Sequence, residues 1–95
     1  MAETKVFDVA DYLDSPDAIS EYLTEAFHTG DAAFITKAIG AVARAQGMTE
    51  VAREAGVSRE NLYRALGSGA KPEFETVMKV LKAMNIQLVA QPKSA

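Results

Sequence analysis

Arginine, asparagine and tyrosine are the side chains that grip nucleic-acid surfaces, and Ser58-Arg59-Glu60-Asn61-Leu62-Tyr63-Arg64-Ala65-Leu66 strings them at helical spacing around a thin apolar stripe. Arg59 and Arg64 suit a bidentate contact to guanine, Asn61 the equivalent contact to adenine, and Tyr63 and Ser58 a phosphate oxygen. Glu60 faces outward with them, and Lys71 in the following loop joins the candidate DNA surface.

These side chains need a rigid carrier, and the residues before them predict one. Val51 to Ala55, Gly56, and Ser58 onward read as a helix, a tight turn and a second helix. Gly56 supplies the positive φ such a turn commonly needs, and Ala52 is small enough for two crossed helices to approach closely. Val51, Ala55, Val57, Leu62 and Ala65 or Leu66 form the set that would plug both helices onto one core. Ser58 is a good N-cap, which fixes where the second helix starts and which residues stand at its leading end. In a docked helix-turn-helix that end meets base edges in the major groove. The competing reading is an ordinary pair of short helices whose arginines are merely solvated.

Composition narrows the class. The chain has 95 residues, 48% of them hydrophobic, with no cysteine and a formal net charge of −3. One small domain with an ample core follows, with neither disulfides nor a thiolate metal site. No apolar run approaches the roughly twenty residues of a membrane span, and no signal peptide is legible, so a cytoplasmic, soluble protein is expected. His28 stands alone and the acids sit at capping spacings, so no enzyme, catalytic residue, metal or cofactor is expected. The charge is divided: residues 1–46 hold eight acids and three bases, residues 47–95 seven bases and five acids. The weakly basic half carries the candidate DNA reader, and the acidic half is free to meet a basic partner.

Along the chain, Asp8 caps a short helix with Val9, Tyr12 and Leu13 inward, and Ser15-Pro16-Asp17 opens a helix with Ile19, Tyr22, Leu23, Ala26 and Phe27 on its inner face. Asp31 caps the next helix, striped by Ile35, Ala38, Ile39, Val42 and Ala45, with Gly40 placed for close packing. Phe74, Val77, Met78, Leu81 and Met84 mark the buried face of a last helix that Asn85 closes. Ile86 to Ala90 has the pattern of an edge strand, to be paired with residues 5–7, a second copy or another protein. The expected architecture is all-α: five helices as a single domain over 1–95, with an extension at 1–14, a helical core at 15–84 and a strand or tail at 86–91. The expected dimer surface is Val80, Met84, Ile86 and Leu88, because that segment has more apolar residues than one face can bury.

The order of these elements resembles a known family. Phe7-Asp8-Val9-Ala10-Asp11-Tyr12-Leu13-Asp14, then Ala43-Arg44-Ala45-Gln46-Gly47-Met48-Thr49, then Val57 to Leu66, and finally Pro72 to Leu81, are similar to the probable addiction-module antidote proteins. These are HigA-like antitoxins of the lambda-repressor-like (Xre) helix-turn-helix class. The resemblance implies a dimeric antitoxin that binds its own operator and neutralises a RelE/HigB-like toxin. Where many repressors of the class open the motif with a phosphate-gripping Gln, this chain has Met48, and Thr49 takes the role as N-cap or backbone contact. A stand-alone phage-type or housekeeping repressor, and an interaction module that never touches DNA, are the alternatives.

Overall fold

Short polar side chains set the helix starts. The computed structural model describes residues 8–93. After a 3-10 turn at Val9–Tyr12 come α1 (Pro16–His28), α2 (Ala32–Gln46), α3 (Met48–Ala55), α4 (Arg59–Ala65) and α5 (Phe74–Ala83). Asp8 accepts from the Ala10 amide, Ser15 from Ala18 at 3.1 Å, Asp31 from Ala33 and Phe34 at 3.0 and 3.2 Å, and Ser58 from Asn61 at 3.0 Å. Each satisfies an amide that the first helical turn leaves unpaired, as the sequence predicts at all four positions.

Two helices stop in the same way. Gly56 takes a left-handed φ of 74°, the Val57 amide reaches the Ala52 carbonyl at 3.0 Å and the Gly56 amide that of Arg53 at 3.2 Å. At the end of α5, Asn85 has φ 62°, with Ile86 bonded to Leu81 at 2.9 Å and Asn85 to Lys82 at 3.0 Å. Both are Schellman closures, in which the residue beyond the left-handed one folds its side chain back over the helix. Val57 and Ile86 are accordingly half-buried against the core.

The middle of α2 is enclosed on every side. Ala38 to Ala43 are all buried, and four of those six residues are Ala or Gly, so neighbouring helices come close around the whole circumference. A Cβ on Gly40 would lie 3.3 Å from the Leu66 carbonyl oxygen and 3.5 Å from its Cβ. The glycine therefore admits the end of α4, against a helix-propensity cost of about 1 kcal/mol. α1 packs on α2, and α3 bridges α2, α4 and α5. Ile39, Val42, Leu62, Val80 and Leu81 are the largest fully buried side chains, each contributing on the order of 1.5–3 kcal/mol of burial.

The structure corrects the sequence reading at four places. Among the described residues there is no strand: past the Schellman turn, 87–91 run exposed with no ladder partner. A strand exists only by pairing, and the suggested partner at 5–7 lies outside the described residues. Tyr12, expected inward with Val9 and Leu13, is 63% exposed: it ends the 3-10 turn facing solvent, while Leu13, at the cap position, reaches the core. Phe74 and Met78, expected on the buried face of α5, are exposed, since the helix sinks only its C-terminal half. Val80 and Met84, expected on a dimer surface, are spent in the chain's own core beneath α3. No helix of the described residues is long and apolar enough to cross a membrane.

Candidate nucleic-acid interface

Helix α4 is held by a single fully buried side chain and otherwise faces outward. Leu62 is 1% exposed, Leu66 closes the far end of the helix, and Arg59, Glu60, Asn61, Tyr63 and Arg64 are all exposed. The Schellman turn at Gly56 and the Ser58 cap lie two residues apart, so the leading end of α4 is fixed by backbone and side-chain bonds together.

The outward side chains are ordered by one another. Arg59 Nη2 donates to Tyr63 Oη at 3.3 Å, and its guanidinium stands 5.4 Å from the centre of the tyrosine ring. That cation–π contact is worth about 0.5–1 kcal/mol at an exposed site. One turn on, Arg64 Nη1 donates to Asn61 Oδ1 at 3.1 Å. Both pairs follow the i,i+3 or i,i+4 geometry of a helix face. Neither arginine is ion-paired with a carboxylate among the described residues, so the side chains are pre-ordered while their positive charge and most of their donors stay available. Pre-ordering of this kind reduces the entropy lost on binding.

A sequence profile of the probable addiction module antidote protein family matches residues 3–92. The chain belongs to that family. It is also similar to an uncharacterized protein of Haemophilus influenzae, 46% identical over 89 residues that cover 94% of this chain and 92% of the relative. No solved structure matches it. Membership suggests an antitoxin role and implies a toxin partner.

The remaining candidate residues divide. Thr49 is exposed at the second position of α3, behind Met48, which is buried. It is therefore not the N-cap: Gly47 holds that position, and no side chain satisfies the first amides of α3. Met48 anchors the helix start in the core, the use that its apolar side chain serves at this position. Lys71 does not line the Tyr63 side of the loop. It borders an apolar groove of about 800 Å³ between α2 and α5, with Phe27, Ile35, Phe74, Val77 and Leu88. Of the four residues assigned to dimerisation, Ile86 is half-buried and Leu88 alone is exposed.

Two cations escaped the sequence reading. By sequence Lys37 and Arg44 fall in the acidic half, yet they line a groove of about 540 Å³ together with Tyr63. Their seven-residue separation on α2, with Gly40 between them, is the signal that places them on one stripe. Arg44 is bonded to Asp8 at 2.9 Å. The Asp8 carboxyl is held below its usual range by the Ala10 amide and then by Arg44.

Proposed function

We propose that this antitoxin is also the repressor of its own operon: a homodimer of lambda-repressor-like helix-turn-helix domains that inserts α4 into the major groove of operator DNA and neutralises a RelE/HigB-like toxin. The observation that carries the DNA reading is the outer face of α4. Arg59, Asn61, Tyr63 and Arg64 are exposed, fixed in pairs by their own hydrogen bonds, and free of carboxylate partners among the described residues. They stand behind a closed turn and a capped start, where the recognition helix of a helix-turn-helix protein presents its contacts.

Two other surfaces support the protein partners. On α1, Asp17, Glu21 and Glu25 form an exposed stripe one turn apart, suited to a basic toxin. On α5 and the tail, Phe74, Met78, Leu88 and Val89 are exposed large apolar side chains, a surface suited to self-association. Dimerisation matters because one small module buries little DNA, and two recognition helices set roughly 34 Å apart read successive half-sites.

The test is a mobility shift on the promoter upstream of the gene, with the chain alone and co-purified with its neighbouring gene product. Wild type gives a sequence-specific shift, and Arg59→Ala with Arg64→Ala removes it, each arginine that reads a base being worth about 1–3 kcal/mol. An unchanged shift in the double variant removes α4 from the interface. A neighbouring product that does not co-purify removes the toxin claim and leaves a stand-alone repressor.

A further inference from the structure

We infer that the groove between α2 and residues 63–70 binds a DNA backbone phosphate, with Lys37 as its cation and Arg44 as a second cation held in check by Asp8. The inference rests on the DNA reading of α4 and adds a contact that reading does not contain.

The lining chemistry is the first support. Ala33, Phe34, Lys37, Gly40 and Arg44 of α2 form one wall, Tyr63 and Leu66 with the small residues 67–70 the other, and Met48 joins them. In a chain with 13 acids against 10 bases, not one lining residue is a carboxylate. Lys37 is exposed and has no ion pair among the described residues. An uncompensated cation in a groove without acids suits an anion, and a low wall of Gly67, Ser68, Gly69 and Ala70 leaves room for a sugar–phosphate strand to lie close.

Position is the second support. Tyr63 belongs to both surfaces: it stacks on Arg59 across the face of α4 and lines the groove. A duplex that receives α4 in its major groove carries phosphate strands along both flanks of that helix, and this groove is the flank toward α2. Met48 brings the start of α3 to the same place, where no side chain caps the first amides.

Asp8 makes the site adjustable. Its Oδ1 takes one donor of Arg44 at 2.9 Å, which cancels the charge of the arginine toward a phosphate while leaving its other donors in place. In the wild type, then, Lys37 supplies the net charge. Counterion release ties each neutralised phosphate to a slope of about −0.9 in log K against log salt.

The experiment measures the affinity of wild type, Lys37→Ala and Asp8→Asn for an operator duplex and an unrelated duplex of equal length, over roughly 0.05–0.5 M salt. Lys37→Ala is expected to weaken both duplexes alike, about five-fold per bound protomer near 0.15 M salt, with a slope shallower by about 0.9. Asp8→Asn keeps a capping side chain but removes the negative charge that offsets Arg44, so it is expected to tighten both and steepen the slope. Unchanged slopes in both variants overturn the phosphate site, as does a Lys37→Ala loss confined to the operator, which would make Lys37 a base reader. If wild type binds neither duplex, the DNA reading of α4 fails as well. If Arg59→Ala with Arg64→Ala abolishes operator preference while Lys37→Ala changes nothing, the reading stands and this inference alone falls.

Discussion

Helices α4 and α5 lie on the same support, α3, and expose opposite chemistry. α4 sinks one side chain, Leu62, and presents polar groups that bond to each other before any partner arrives. α5 sinks Val80 and Leu81 and leaves Phe74, 71% exposed, and Met78 to solvent. A polar face that is already ordered suits directional recognition, where donors must sit at fixed positions. An apolar face left in water has no such order and gains by being covered. One protein thus carries two kinds of unfinished surface, and this difference underlies the proposed division of DNA to α4 and protein to α5.

The largest effect that separates the two faces comes from the anchor of α4. Leu62→Ala removes its one deep contact and is expected to cost about 2–5 kcal/mol. For a domain of this size each kcal/mol lowers Tm by about 4–8 °C, so thermal unfolding followed by circular dichroism reads the loss directly. A drop under about 4 °C would mean that α4 is held elsewhere. Gly40→Val probes the same junction from α2: side-chain atoms driven into the Leu66 backbone should cost about 1–3 kcal/mol, and the same melt reports it. The α5 face behaves differently. Phe74→Ser with Met78→Ser should leave Tm nearly unchanged, because both side chains are already in water, and should lower the dimer fraction in sedimentation. A dimer that persists places self-association on another surface.

What the sequence makes legible is what is decided locally. Ser15, Asp31 and Ser58 cap helices and Gly56 and Asn85 end them because each acts on backbone groups within a few residues of itself. The face of α4 is legible for the same reason, since its pairs lie three and four residues apart. Partners distant in sequence are not legible. Ile86 to Ala90 has strand character, but a strand needs a ladder that no local pattern supplies, and the Schellman bond to Leu81 claims the amide of its first residue, Ile86. Helical periodicity gives Leu81 and Met84 of the inner stripe of α5 but neither Val80, which lies fully buried beside them, nor how far α3 covers the helix, which leaves Phe74 and Met78 in solvent. Lys37 and Arg44 look like part of an acidic half until the fold lays α2 beside Tyr63.

The smallest expected effects fall on the two bonds that frame the α4 side. Ser58→Ala removes the cap that accepts from Asn61 and should cost about 1 kcal/mol, with part of the loss appearing in DNA affinity because the leading end of α4 frays. Asp8 gives a weaker signal with a defined sign. Its carboxyl titrates below the ordinary carboxylate value in the folded chain because the Ala10 amide and Arg44 favour the ionised form. A depressed folded pKa contributes stability above the unfolded value, near 3.9, and that contribution is lost as pH falls through the folded value. Melting wild type and Asp8→Asn in parallel should therefore show a constant offset above about pH 5 that closes below about pH 4. An offset that survives into stronger acid would mean that the ionised carboxylate is not what joins this turn to α2. The restraint on Arg44 would then be one of shape, and its charge would already be available to the groove.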